Sequence, residues 1–356
     1  MMSAIGTIQR AHLTAPAELR QQAQEFETPS NFRAIWQLLN SMVLFIALWV
    51  LMYCLVDVSR WLVALAACLA GVVLIRVFII FHDCGHGVFF TSVRANHWVG
   101  FFCGLLVFTP FRQWHRDHAD HHAKTGNLDG RGPGEVWTMT VEEFLRAPVW
   151  KQRLYRMMRN PFFLFGVVPV LFFVVLQRLP TRATSPQLKR SIWTMNFAVV
   201  IYVGLMMALF GVVPYLVIQA IVIGVAGGAG FWLFYVQHQF DSVLWTRTED
   251  WDYTDAALQG SSYYKLPRLL QWCTGNIGFH HVHHLFPRIP NYYLEKCHNA
   301  LPVLQQVPVI TLASSVGTLK LKLWDECSHR LVRFCDVENL VTDDEDASGP
   351  MEVHER

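Results

Sequence analysis

The sequence predicts an all-α integral membrane protein in which four transmembrane helices carry a cytoplasmic helical cap with histidine clusters, and three features lead there. Hydrophobic residues make up 53% of the 356-residue chain and charged residues only 16%, whereas a soluble domain is about a quarter charged. Four apolar runs approach the roughly 20 residues that a helix needs to cross the hydrocarbon core. Ten of the 16 histidines fall in three short clusters next to those runs.

Residues 1–34 are a polar lead with Arg10, Arg20 and Arg33, and an amphipathic helix is expected near Ala17–Phe26. No apolar signal segment precedes Ile35, so the first span is expected to be its own insertion signal. The membrane domain is expected over 35–300. Its first two spans, about 38–56 and 61–81, are joined by the short link Asp57-Val58-Ser59-Arg60. Arg76, one to two turns from the end of the second span, is expected to snorkel to the interface. The run 97–108 is too short to span and ends at Thr109-Pro110, so it is expected to lie in the interface or re-enter.

From Arg112 to Arg159 the chain is polar and rich in Lys and Arg, a cytoplasmic signature. The run 162–176 covers roughly 22 Å at 1.5 Å per residue, short of the roughly 30 Å core. Arg178, Arg182, Lys189 and Arg190 follow it, so this run too is expected to be interfacial. Spans three and four, about 195–213 and 215–236, form a hairpin around Pro214, and Gly224 and Gly228 in GxxxG register suggest close helix packing. Both termini and all histidine clusters then share the cytoplasmic face. Residues 301–356 form a cytoplasmic segment ending in the acidic run Asp343-Asp344-Glu345-Asp346. Net charge is only +2 and there is no basic stripe with interleaved aromatics, which excludes nucleic acid. The eight cysteines contain no C-x-x-C pair and are expected to be reduced structural thiols.

The densest cluster is His115-Arg116-Asp117-His118-Ala119-Asp120-His121-His122. On a helix His118, His121 and His122 lie at i, i+3 and i+4 and share a face. His82-Asp83-Cys84-Gly85-His86 gives an i, i+4 pair, and His280-His281-Val282-His283-His284 repeats the i, i+3, i+4 pattern. His298 and His329 lack such spacing and are expected to be surface or packing residues. Neutral imidazole is the commonest protein metal ligand, and a nearby carboxylate sets its tautomer; Asp83, Asp117 and Asp120 are candidates for that second role. With His238 at the end of the fourth span, nine imidazoles are available: His82, His86, His118, His121, His122, His238, His280, His283 and His284. One metal accepts four to six ligands, so nine argue for two ions. Ligand type alone leaves Fe, Zn, Ni and Cu open.

The order H-x3-H, H-x2-H-H, H-x2-H-H, with the phrases His82-Asp83-Cys84-Gly85-His86-Gly87, Thr125-Gly126-Asn127-Leu128-Asp129 and Asn276-Ile277-Gly278-Phe279-His280, resembles the membrane fatty acid desaturases, in particular their acyl-lipid branch. The resemblance covers roughly residues 32–301. It implies two iron ions held by the nine histidines, with O2 as co-substrate and a cis double bond made in the acyl chain of a membrane lipid or a thioester. His115 and His281 exceed the family pattern and are candidates to replace a neighbour, and Asn276 is a candidate to hold a metal-bound water. No haem-binding segment is visible, so electrons are expected from an external carrier, ferredoxin or cytochrome-like. The basic stretch Lys151–Arg159 is expected to contact lipid headgroups or that carrier. The rival readings are a hydroxylase or ketolase on the same scaffold and, further off, a zinc-dependent membrane hydrolase or receptor. A transporter fits poorly, because the spans hold almost no ionisable residues.

Overall fold

A computed structural model describes residues 16–132, 134–182 and 184–337; Arg10 and the acidic run at 343–346 lie outside them. After α1 (Pro16–Ala23) and one 3-10 turn come α2 (Asn31–Leu55) and α3 (Arg60–His86). Ser30 and Ser59 start these two helices by accepting a hydrogen bond from Arg33 N and Leu62 N, while Gly87, at φ 74°, stops α3 directly after His86. Only a residue without Cβ takes that conformation at no steric cost. The first histidine cluster therefore sits at the very end of a span.

α3 is the central span: 67% of its apolar window is buried, against 17–33% for the other three spans. Its close approach to the fourth span occurs at Gly71, where a Cβ would meet Val225 and the Val222 carbonyl. Arg76 does not snorkel. It is buried, its Nε donates to Ser41 Oγ at 3.1 Å, Nη1 donates to the Trp272 carbonyl, and the guanidinium lies 4.2 Å from the Trp272 ring centre. Partners on α2 and in the cap satisfy its donors, so the group has no need of water.

α4 (Val93–Leu106) is a 14-residue helix capped by Val107, and after Phe108 at φ 54° α5 (Phe111–Lys124) follows with the second cluster. Then come α6 (Val141–Arg146) and α7 (Val149–Met158). The run 162–176 is no single rod: a π-helical turn (Phe163–Val167), α8 (Val168–Val174) and a 3-10 turn (Leu176–Arg178) form a segment bent by 65° from α7. Arg159, at the end of the basic stretch, is buried and donates to Gln239 Oε1 at 2.7 Å and the Leu321 carbonyl at 3.0 Å. It thus faces inward, where neither lipid nor a carrier reaches it.

α9 (Pro186–Phe210) and α10 (Val212–His238) form the second hairpin. The turn is made by Gly211 at φ 81°, not by Pro214, which lies in the first turn of α10, where its missing N–H has no intrahelical partner to lose. Gly224 has open space around it, whereas Gly228 packs on the Phe165 carbonyl and Gly227 on Pro169. The small face of α10 thus receives the bent segment instead of a second straight span. Among the described residues four helices are long and apolar enough to cross a membrane, or five if the bent pair counts as one span.

The cap contains α11 (Tyr253–Gln259), α12 (Arg268–Cys273), α13 (His280–Leu285), α14 (Asn291–Ala300) and α15 (Leu312–Thr318). Two small sheets accompany them: β1 (Tyr263–Lys265) pairs parallel with β2 (Val309–Thr311), and β3 (Leu323–Asp325) antiparallel with β4 (Arg330–Val332). Three-residue strands are too short to leave an alternating pattern in sequence. One apolar core joins α2, α3, α4, α9 and α10 through Phe45, Trp49, Leu74, Phe81 and Tyr215. A second packs Leu19 and Ala23 of α1 against Val282, Leu285 and Leu294, so the helix carrying the third cluster is covered from both sides.

Candidate metal centre

The C-terminal ends of α3 and α10 bring His82, His86 and His238 to the same end of the helix bundle, where α5 and α13 lie against them. Two groups result. His82, His86, His118, His122 and His283 form one; His121, His238, His280 and His284 form the other, and within each the ligating nitrogens lie within 4.8 Å of one another. The two groups contain all nine expected histidines and divide the clusters between them. On α5 the i, i+4 pair His118 and His122 points to the first group, while His121 turns to the second; on α13 the i, i+4 pair His280 and His284 serves the second and His283 the first. At about 100° per residue, positions i and i+4 stay within 40° of each other and the third histidine is displaced sideways.

Hydrogen bonds fix two tautomers. His238 Nδ1 lies 3.0 Å from the Gly260 carbonyl, which only accepts, so Nδ1 carries the proton and Nε2 is a bare lone pair. His82 Nδ1 lies 2.9 Å from Asp83 Oδ1, and Asp83 Oδ2 accepts from Asn291 N at 2.6 Å and Asn291 Nδ2 at 2.8 Å. With Oδ2 taken by those two donors, Oδ1 is left to accept from His82 Nδ1–H, so His82 Nε2 is likewise bare. Yet His82 Nε2 stands 2.9 Å from His118 Nε2, and His238 Nε2 stands 2.9 Å from His280 Nε2. Burial, reinforced by the neighbouring imidazoles, pushes His118, His121, His122, His280, His283 and His284 well below their ordinary pKa. They are neutral at pH 7, and His86, His121 and His283 each keep a buried Nε2 without a partner. Converging neutral nitrogens with unspent lone pairs are a metal donor set.

The remaining candidates separate cleanly. Asp83 contacts the box histidine His82. Asp117 accepts instead from Gln113 and Asp120 from Lys124, because both point away from the shared face of α5. His115 is exposed and belongs to neither group. His281 is buried but turns the other way, its Nε2 3.1 Å from His298 Nδ1; His298 is thereby a buried partner, not a surface residue. Asn276, at φ 60°, has both ends of its amide taken: Nδ2 donates to the Asn291 carbonyl and Oδ1 accepts from Gln271. It steadies the residue that holds Asp83.

Three participants escaped sequence reasoning: Asn291, Gly260 and Glu135. Asn291 opens α14 and only the fold brings it to Asp83; Gly260 acts through its backbone, which no side-chain pattern reports. The Glu135 carboxyl is buried 3.9 Å from His121 Nδ1, and burial pushes its pKa up to about 8, so it is largely protonated at pH 7.

Residues 59–309, well over half of the chain, match the family model described as fatty acid desaturase. The chain belongs to the fatty acid desaturase family. It is an integral membrane oxidoreductase acting on fatty acyl chains. A fatty acid desaturase of Bacillus subtilis is 40% identical over 323 residues, which cover 91% of this chain and 92% of that protein. An sn-1 acyl-lipid omega-3 desaturase (ferredoxin) of Synechocystis is 28% identical over 260 residues, 66% of each chain. An sn-1 oleoyl-lipid 12-desaturase of the same organism is 28% identical over 246 residues, 65% of this chain and 66% of that one. The likeness to the Bacillus protein runs nearly end to end, so it takes in the cap and its histidines as well as the spans.

Proposed function

We propose that this desaturase introduces a cis double bond into the acyl chain of a membrane lipid, with one iron ion in each histidine group. The observation that carries the metal reading is the forced tautomer of His238: its bare Nε2 faces His280 Nε2 at 2.9 Å, an arrangement that a cation between them relieves. Nitrogen ligands alone also suit zinc; iron is favoured because the family oxidises its substrate and zinc is redox-inert. Bound iron, with O2, supplies an oxidant able to take hydrogen from an unactivated methylene, which has neither an acidic proton nor a leaving group. In the overall balance –CH2–CH2– loses two hydrogens, and O2 takes up those two together with two electrons and two protons to give two waters.

The chain's own residues hold and shield. Asp83 and the Gly260 carbonyl orient His82 and His238 through their Nδ1–H groups. Trp114 stacks on the His118 ring at 4.4 Å, and Phe234 lies 5.1 Å from His121, so aromatic surface borders both groups and limits the entry of water. The centre faces the cytoplasm with both termini, as the Lys and Arg of residues 112–159 and 178–190 favour. The two electrons come from a separate ferredoxin-like or cytochrome-like carrier; the Synechocystis omega-3 desaturase is named for ferredoxin.

The test is gas chromatography with mass spectrometry of total fatty acids from an aerobic host expressing the chain, beside one expressing His121→Ala. A new unsaturated species found only with the intact chain is expected. An oxygenated product would replace desaturation by hydroxylation or ketolation, and a product equally abundant with His121→Ala would remove that histidine from the centre.

A further inference from the structure

From Phe144 to Phe240 the chain contains nine Lys and Arg residues and no Asp or Glu. Among the described residues only some of these cations are spent inside the protein. Arg159 is buried among acceptors, whereas Arg182 and Arg190 are exposed. Arg178 is in neither state. It ends the bent segment and is half-buried, and its Nη1 donates to Asn196 Oδ1 at 3.1 Å. Asn196 Nδ2 in turn donates to the Arg178 carbonyl at 3.0 Å. The same guanidinium lies 5.3 Å from the ring centre of Phe108. Its Nη2 is buried and has no hydrogen-bond partner.

A guanidinium fixed on one side by an amide and on another by a ring, with one amino group unspent and no carboxylate beside it, is prepared for an external anion. Its place says which one. Phe108 lies just beyond α4, and only Thr109 and Pro110 separate it from α5, the helix of the second histidine cluster. Seven residues of α5 lead from Phe111 to His118, about 10 Å at 1.5 Å per residue. The Arg178 guanidinium therefore lies near the N-terminal end of the helix that carries the second histidine cluster.

We propose that Arg178, held by Asn196, binds the phosphodiester of an anionic membrane phospholipid, so that the enzyme takes its acyl chain from a phospholipid. This rests on the acyl-lipid reading above, but its test needs no turnover. The purified full-length protein in uncharged detergent is titrated with dioleoyl phosphatidylglycerol and with a dioleoyl glycolipid of no charge, and bound lipid is counted by native mass spectrometry. The intact protein should favour the phosphatidylglycerol by about tenfold, the scale of one charge-assisted hydrogen bond. Arg178→Ala should abolish that preference while its elution profile and metal content stay unchanged.

Arg178→Lys keeps the charge without the planar fork and should retain only part of the preference; it also serves if the alanine variant fails to fold. Inorganic phosphate should not compete at millimolar concentration, and competition by it would mark a site for the free ion, overturning the phospholipid assignment. Equal binding of the two lipids by the intact protein, or an undiminished preference in both variants, would overturn the proposal. Failure of the acyl-lipid reading shows elsewhere, as an absent double bond in cells.

Discussion

Asp83→Asn changes one buried atom and leaves the shape of the side chain intact. The carboxylate receives three donors: His82 Nδ1 at 2.9 Å, Asn291 N at 2.6 Å and Asn291 Nδ2 at 2.8 Å. An amide has one oxygen to offer. If that oxygen faces Asn291, the new NH2 faces His82 and forces its Nδ1 to accept. The proton then moves to Nε2, the atom that points into the five-histidine group. If the oxygen faces His82 instead, the NH2 meets the donors of Asn291, and each buried donor left unsatisfied costs about 1–3 kcal/mol. Both outcomes weaken the first metal site, by about 10–100-fold in affinity, or roughly 1.4–2.7 kcal/mol. The four-histidine group has no contact with Asp83 and should keep its ion. The assay is metal content by mass spectrometry on purified protein after exposure to graded chelator. The intact chain should hold two ions, and the variant should lose one of them at a lower chelator concentration. A variant that retains both ions with unaltered chelator resistance would refute the assignment of Asp83 as the orienting partner of His82.

His115→Ala and His281→Ala should both leave metal content unchanged, because neither residue belongs to a ligand group; His281→Ala alone should lower the melting temperature, since it opens a buried cavity beside His298. Gly278→Ala should destabilise the cap by about 1–3 kcal/mol, because a Cβ there presses into the Tyr264 carbonyl; thermal unfolding in detergent reads this, and an unchanged midpoint would contradict the packing. The stability of the metal-free chain should fall as pH drops below about 6.5. His281 is lowered to about 3 in the fold, and six box histidines are shifted the same way. The unfolded chain then binds more protons across that window, so the stabilisation present above 6.5 is lost on acidification. Glu135, raised to about 8, acts in the opposite sense as pH rises, and denaturant midpoints between pH 4 and 8 would show which dominates.

Much of the centre was legible in the sequence because the signals are local. Helical spacing within His82–His86, His118–His122 and His280–His284 requires only the 3.6-residue turn, and the low charge with four long apolar runs follows from the absence of water in the bilayer core. Those features determine a membrane-embedded helical protein with nine metal-competent imidazoles. The allotment of those imidazoles to two groups was not legible. His121 parts from His118 and His122 only because α10 delivers His238 to one side of α5 while α3 delivers His82 and His86 to the other. Nor did spacing tell Asp83 from Asp117 and Asp120: all three stand beside a histidine in sequence, and only Asp83 meets the N-terminus of α14, whose Asn291 lies 208 residues away. Arg76 and Arg178 make the same point about charge. Hydropathy sees two arginines near apolar runs, but partners from distant segments decide that Arg76 is satisfied inside and that Arg178 keeps a donor unspent. Periodicity is written into each helix by its backbone geometry, whereas the satisfaction of a buried polar atom depends on whichever group the tertiary fold brings within 3 Å of it.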